Sequence, residues 1–280
     1  MGITSRYGPA RPTLDEALIS VVLPTYNEQD VLGRLAEQIM DTLDECRVDW
    51  ELVFVNDGST DGTAEVLDAM AAGDDRVRVL HFSRNFGQQA AVQAGLARAR
   101  GDAVVLMDAD MQDAPSAIPR FLQQWQDGAD VVYAVRRHRK ERLLKRLAFA
   151  AFHRLMAWTA SVRIPVDAGN FGLVDRRVLD RLLTMPEHDR YFPGLRSWVG
   201  FHQAGVEVER GERYDHRPRV SLRGLVRLAK TALFSFSAFP LTLFHAIGAA
   251  ASAVFVVSAA YALGARLLTD WAVPGWTSYV

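Results

Sequence analysis

Short apolar runs alternate with amphipathic patterns through the first 135 residues, and that alternation restricts the chain to few folds. Ile19 to Leu23, Leu52 to Val55, Val77 to Phe82, Ala103 to Met107 and Asp130 to Ala134 read as strands. Helical patterns fall between them: Asp30 to Leu43, a segment through Val66, Leu67 and Met70, Gln88 to Ala99, and Ile118 to Trp125. Strand–helix alternation of this kind predicts an α/β fold with a mostly parallel central sheet covered on both faces. In such sheets ligands bind outside the carboxyl ends of the strands. Polar clusters occupy those ends: Pro24 to Glu28 after the first strand, Asn56 to Ser59 after the second, and Asp108 to Asp113 after the fourth. Three loops on one sheet edge predict one site.

After residue 135 the pattern loosens. Helices are expected at Lys145 to Ser161, Asp175 to Leu183 and Tyr191 to Val199, with strands at Asn170 to Val174 and Ala204 to Val208. Leu222 to Phe239 sets Leu225, Leu228, Leu233 and Phe236 against Arg223, Arg227 and Lys230, the pattern of an amphipathic helix lying at a membrane surface. From Thr231 to Ala265 there is no Asp, Glu, Lys or Arg. A bilayer crossing needs about 20 apolar residues, and Pro240 interrupts the run, so at least one transmembrane helix is expected near Leu241 to Leu263. Basic residues on its N-terminal side, among them Arg217, Arg219 and Arg223, predict a catalytic domain facing the cytoplasm from the inner membrane. The expected divisions are a flexible segment 1–18, a catalytic domain 19–220, a juxtamembrane helix 221–239 and a membrane region 240–280. Whether an interfacial belt or a further span begins at Pro274-Gly275-Trp276 is left open.

Charge is segregated although its sum is −1. Residues 1–135 carry 10 basic and 22 acidic side chains, and residues 136–230 carry 21 basic and 10 acidic. An acidic half suits a cation, and a basic half an anionic partner or anionic lipid headgroups. Nucleic acid is not among the expected partners. Cys46 is the sole cysteine, which rules out an internal disulfide and fits a reducing compartment. There is no G-x-G-x-x-G at the first turn and no G-x-x-x-x-G-K-[S/T], which disfavours dinucleotide binding and P-loop hydrolysis. No Cys/His cluster offers a zinc site, and His138, His153, His188, His202 and His245 are scattered.

Asp108-x-Asp110-x-Gln112 offers oxygen ligands at alternate positions of an extended segment, a set suited to Mg or Mn. Such an ion offsets the charge of a diphosphate, and of a leaving diphosphate above all. Asp57, ending a strand, suits a base or ribose contact, and Gly58 lets the backbone turn past a ligand. Asp61 is better read as a helix cap.

Val21-Val22-Leu23-Pro24-Thr25-Tyr26-Asn27-Glu28, Val55-Asn56-Asp57-Gly58-Ser59-Thr60-Asp61-Gly62-Thr63 and Asp108-Ala109-Asp110-Met111-Gln112 resemble family 2 glycosyltransferases of the GT-A fold. Arg84-Asn85-Phe86-Gly87, Asp167-Ala168-Gly169-Asn170-Phe171 and Trp198-Val199-Gly200-Phe201 narrow the resemblance to polyprenyl-phosphate glycosyltransferases, the group of dolichol-phosphate mannose synthase and bacterial undecaprenyl-phosphate glucosyltransferases. The resemblance implies that Pro24, Tyr26, Glu28 and Asp57 cradle the nucleoside of a nucleotide-sugar donor. It implies that Asp108, Asp110 and Gln112 hold a divalent cation, Mg or Mn, and the donor diphosphate, with Arg136 and Arg137 on phosphate groups. Asp110 and Asp167 are the expected catalytic carboxylates, and Asn170, Arg217 and Arg219 are expected on the acceptor side. Relatives suggest self-association into a homo-oligomer.

Two departures matter. Many relatives carry Lys after the glycine of the Arg-Asn-x-Gly segment, where this chain has Gln88. Processive polysaccharide synthases carry Q-x-x-R-W, and the nearest match, Leu195-Arg196-Ser197-Trp198, lacks the Gln. One expected span also leaves no polymer channel. The expected reaction is therefore inverting transfer of one sugar, from a UDP-glucose or GDP-mannose type donor, to a polyprenyl phosphate. The family implies that Asp167 is the catalytic base. A phosphate monoester is already largely dianionic at neutral pH, so Asp167 is expected chiefly to orient the acceptor or an arginine, with base catalysis secondary. A non-polyprenyl acceptor and a non-catalytic membrane scaffold are the alternatives.

Overall fold

The apolar runs do become the strands of a single sheet. The computed structural model of the chain describes residues 11–136, 168–186, 191–208 and 239–268. The first half gives β1 (Leu18–Thr25), α1 (Leu32–Glu45), β2 (Asp49–Asn56), α2 (Thr63–Gly73) and β3 (Val77–His81). It continues with α3 (Gln88–Arg98), β4 (Ala103–Leu106), α4 (Ile118–Gln126) and β5 (Val131–Arg136). Then come β6 (Ala168–Asp175), α5 (Arg176–Thr184), α6 (Phe192–Trp198), β7 (Gln203–Val208) and α7 (Phe239–Leu268). The helix expected at Lys145 to Ser161 and residues 222–238 of the expected juxtamembrane helix lie outside the described residues.

The seven strands are ordered β3-β2-β1-β4-β6-β5-β7. β1 pairs parallel with β2 and β4, β2 with β3, and β5 with β7. β6 is the exception, antiparallel to both neighbours, with Leu106 facing Gly172 and Val135 facing Ala168. That reversal brings the first residues of β6 to the same edge as the last residues of β4 and β5. Gly172 is required there, since a Cβ would stand 3.0 Å from the Tyr133 Cα on the neighbouring strand.

Side chains on successive strand residues point to opposite faces, and each face has its own core. On one, Leu32, Leu35, Ile39 and Leu43 of α1 and Phe121 and Trp125 of α4 cover Val21, Leu23, Val105, Met107, Phe171 and Leu173. The spacing within α1 is that of a single helical stripe. On the other, Val92 and Leu96 of α3, Val178, Leu179 and Leu182 of α5, and Leu195 of α6 cover Val22, Val53, Leu106, Val131 and Val174.

The start of the described chain corrects one expectation. Residues 11–18, expected to belong to a flexible lead-in, are tied down. The Arg11 guanidinium pairs with Asp175 at 3.0 Å and with Asp130, and donates to the Trp125 carbonyl. Arg177 bridges the same two carboxylates, and the Trp125 indole donates to Asp175 at 2.8 Å. This knot closes the sheet edge opposite the polar loops.

α7 stands apart in character. An 18-residue stretch within Leu241–Leu268 has a mean hydropathy of 1.9, and the 28-residue segment is long and apolar enough to cross a membrane by length and composition. Phe244, Val254, Phe255, Val256 and Val257 are each more than 60% exposed, so the helix has no apolar cover within the described residues.

Candidate active site

Three loops converge at the carboxyl edge of β1, β2 and β4, and side chains lace them together. After β1, Asn27 adopts a left-handed backbone (φ 53°) and its side-chain oxygen accepts from Thr60 N at 2.8 Å. Its own N–H donates to Ser59 Oγ, and the Glu28 N–H to Thr63 Oγ1, both at 3.0 Å. Pro24 is buried in β1 beside Val55, Tyr26 is half-buried, and Glu28 is 4% exposed. These candidate nucleoside contacts thus stand on a loop whose shape is set by the loop after β2.

Asp57 closes the end of β2 against the loop that follows β3. Its two carboxylate oxygens accept from the backbone N–H groups of Phe86 (2.7 Å) and Gly87 (3.0 Å), and the residue is 3% exposed. In this structure the carboxylate holds the Arg84–Gly87 loop against the site. Gly58 makes a close approach to that loop: a Cβ on it (φ +66°) would stand 2.6 Å from Asn85 N. Gly62, not Asp61, is the N-cap of α2; Asp61 Oδ1, one residue earlier, accepts from Thr63 N at 3.1 Å.

The acidic loop follows β4. Leu106 packs on the α3 face and Met107 on the opposite one, so Asp108 turns back toward α3. There Gln88 Nε2, at the first position of α3, donates to Asp108 Oδ1 at 2.8 Å. The residue that departs from the family pattern therefore orients the first aspartate of the motif. Asp110 is 9% exposed and accepts from Gln112 N at 3.1 Å, across a left-handed Met111 (φ 61°). The turn at Met111 re-aims the chain so that carboxylates and an amide follow one another within five residues. Among the described residues no three His, Cys, Asp or Glu side chains already form a metal cluster. Two carboxylates and an amide oxygen are nonetheless the hard donors that Mg or Mn accepts, and phosphate oxygens and water commonly complete such shells. The donor set fits the ion.

Asn170 also reaches this edge. Continuing the β4–β6 register from Leu106–Gly172 sets Asn170 across from Asp108. Since Phe171 and Leu173 pack on the α1 face, Asn170 points to the same face as Asp108. Arg136 ends β5 opposite Val208 at the same edge. Arg137, Asp167, Arg217 and Arg219 lie outside the described residues.

Two features escaped the sequence. The Arg11–Asp130–Asp175–Arg177 knot includes a contact, Arg11 to Asp175, between residues 164 positions apart, and the local signal for it is the Asp175 cap, which accepts from Arg177 N. Arg196, noticed only as an imperfect motif match, is 1% exposed and donates to the Gly169 carbonyl at 3.2 Å.

A mostly parallel sheet with one antiparallel strand, and an oxygen-rich acidic loop at its carboxyl edge, defines the GT-A class of sugar-nucleotide transferase folds. The family described as Glycosyl transferase family 2 matches residues 20–183. The chain belongs to that family. It is 38% identical over 262 residues to an uncharacterised glycosyltransferase, YkcC, of Bacillus subtilis (strain 168), covering 93% of this chain and 81% of that protein. It is 35% identical over 258 residues to the bactoprenol glucosyl transferase of Shigella phage SfV, covering 92% and 82%. Among solved structures, a mannosyltransferase from Pyrobaculum calidifontis in complex with GDP-Man and Mn2+ shares the fold at a TM-score of 0.54 and 20% identity, over 81% of this chain and 64% of that one. Glucosyl-3-phosphoglycerate synthase from Mycobacterium tuberculosis, in complex with Mn2+, UDP and glucosyl-3-phosphoglycerate, matches at a TM-score of 0.54 and 25% identity, over 78% and 79%.

Proposed function

We propose that this glycosyltransferase moves a single sugar from a nucleotide-sugar donor to a polyprenyl phosphate at the cytoplasmic face of the inner membrane. The observation that carries this reading is the pairing of the Asp108–Gln112 loop at the carboxyl edge of the sheet with a 30-residue helix in the same chain whose apolar stretch is unburied. A helix of that length spans about 45 Å, more than the roughly 30 Å of a bilayer's hydrocarbon core. The bactoprenol glucosyl transferase similarity favours a polyprenyl acceptor and glucose, with UDP as the nucleotide of first choice and GDP-mannose as the alternative donor. The UDP and Mn2+ held by the Mycobacterium tuberculosis synthase support a divalent cation with the donor.

In the proposed reaction an oxygen of the acceptor phosphate attacks the anomeric carbon. The bond from that carbon to the donor's β-phosphate oxygen breaks on the opposite side, and the nucleoside diphosphate departs with the electron pair. One such displacement inverts the anomeric centre. A bound Mg or Mn ion would supply charge compensation for the leaving diphosphate. Asp108, Asp110 and Gln112 would hold that ion, with Gln88 fixing the orientation of Asp108. Asn170, near the start of β6 at the edge where the Asp108 loop leaves β4, would contact the sugar or the acceptor. Arg136, Arg137, Arg217 and Arg219 are the proposed phosphate cations, and Asp167 is proposed to orient the acceptor or an arginine. Tyr26 and Glu28 would line the nucleoside pocket.

Membranes carrying the full chain, given labelled UDP-glucose or GDP-mannose with undecaprenyl phosphate, test this reading. Label should enter an organic-soluble product in a Mn- or Mg-dependent manner, and Asp110→Asn should lower the rate at least about a hundredfold. Label that stays water-soluble with both donors defeats the polyprenyl assignment.

A further inference from the structure

Arg196 is a charged side chain buried without enough partners. It is 1% exposed. Nη1 donates to the Gly169 carbonyl at 3.2 Å, while Nε and Nη2 are buried with no hydrogen-bond partner. The guanidinium carbon stands 5.0 Å from the centre of the Tyr133 ring and 5.9 Å from that of Phe192. Burial pushes its pKa down to about 10, which still leaves it cationic at neutral pH. An uncompensated buried charge costs several kcal/mol, and an unsatisfied polar group in a packed interior calls for a reason.

Position supplies the reason. α6 packs on the α3 face of the sheet, the face toward which Asp108 and Asn170 turn. The Gly169 carbonyl that receives Nη1 is adjacent to Asn170, at the edge where the acidic loop begins. The partnerless Nε–Nη2 edge is the side of a guanidinium that grips two oxygens of one phosphate or carboxylate. In a site shielded from water such a grip is at its strongest.

We propose that the Nε–Nη2 edge of Arg196 is a seat for a substrate phosphate, beside Gly169 at the start of β6 and on the face of the sheet that carries α3. The proposal rests on the transferase reading above and adds to it a cation that no motif marks. The shared chemistry is a phosphate oxyanion, which the donor diphosphate or the acceptor monoester can provide. Once seated, the anion removes the cost that the unliganded fold carries, so substrate binding and local order are coupled.

The test uses the detergent-solubilised full chain with three probes: UDP with Mn2+, GDP with Mn2+, and undecaprenyl phosphate. Thermal shift and equilibrium binding are read for wild type, Arg196→Met and Arg196→Lys. Arg196→Met removes a lone buried charge in favour of an apolar side chain of similar length, so its ligand-free Tm should equal or exceed that of wild type. The same variant should weaken at least one probe by about tenfold or more. A change confined to UDP or GDP locates the seat on the donor side, and one confined to undecaprenyl phosphate on the acceptor side. Arg196→Lys keeps the charge without the planar fork and should fall between. Both variants binding every probe as tightly as wild type, or a lower Tm for Arg196→Met with unchanged binding, would overturn the seat. Should Arg196→Met fail to fold, unaltered binding by a folded Arg196→Lys overturns it equally. A wild-type chain that responds to none of the three probes sinks the transferase reading together with the seat.

Discussion

In the proposed reaction Asp108 is a metal ligand, a role that asks it to bind strongly and yet remain in one rotamer before the metal arrives. The amide of Gln88 meets both demands, because it donates a hydrogen bond at 2.8 Å without bringing a competing positive charge. Gln88→Ala should weaken Mn2+ binding by roughly tenfold, at the low end of what loss of an orienting partner costs. Gln88→Lys should weaken it further by placing a cation beside the site, and Mn2+ titration followed by electron paramagnetic resonance reads both. Asp57 is the other residue whose role was only half legible. Its place at the end of β2 was clear, but the loop that takes up its oxygens lies 29 and 30 residues onward. Asp57→Ala leaves two loop N–H groups without that acceptor, and chemical denaturation should register a loss of about 1–3 kcal/mol. Gly58→Ala should be worse tolerated, since neither the φ of +66° nor the Arg84–Asn85 backbone leaves room for a methyl group.

Elements were more readable than single residues, because hydrophobic period depends on local sequence alone. The strands ending in Thr25 and Asn56, the α1 stripe and the Gln88 start of α3 all follow from short windows of sequence. The antiparallel direction of β6 does not, since direction is decided by which edge a distant strand meets rather than by its own residues. The knot at the far edge is invisible for the same reason. Burial pushes the Asp175 carboxylate up, but Arg177, the Trp125 indole and the Arg177 N–H outweigh it and hold the pKa below the usual 3.8. Glu51 is likewise raised by burial, and Ser20, the Arg100 N–H and Arg78 more than reverse this, leaving it below 4.5. A carboxylate depressed in the folded state contributes stability that is complete above its unfolded pKa and is lost as pH falls through the folded one. The Tm should therefore stay level on this account down to about pH 5 and drop steeply below about pH 4. Asp175→Ala should cost roughly 3–5 kcal/mol at neutral pH, because Arg11, Arg177 and the Trp125 indole all lose a buried acceptor and Asp130 is left as the one carboxylate between two guanidinium groups, and should flatten the acid limb of the Tm profile.

At the scale of the whole molecule, the proposed arrangement, a catalytic sheet facing the cytoplasm and a helix in the membrane, accounts for a chain that is acidic before residue 135 and basic after it. The acidic part holds the candidate cation loop, and the basic part precedes an uncharged run of 35 residues. Protease added to right-side-out vesicles should leave the catalytic domain intact, and protease added to inverted vesicles should remove it. Sequence made the apolar run and the acidic loop plain, since composition and a five-residue motif announce them. It could not show that Arg196 lies buried beside Asn170, because burial is a property of the packed sheet and not of the Leu195-Arg196-Ser197-Trp198 window. The central claim is a single displacement onto a lipid phosphate. Its most direct measurement is the structure of the product made by the purified full chain from sugar nucleotide and undecaprenyl phosphate, read by mass spectrometry and by the anomeric proton coupling. The prediction is a lipid phosphate carrying one hexose, with anomeric configuration opposite to that of the donor. A product bearing several sugars, one with the donor's configuration retained, or transfer to a water-soluble acceptor in preference to the lipid would contradict it.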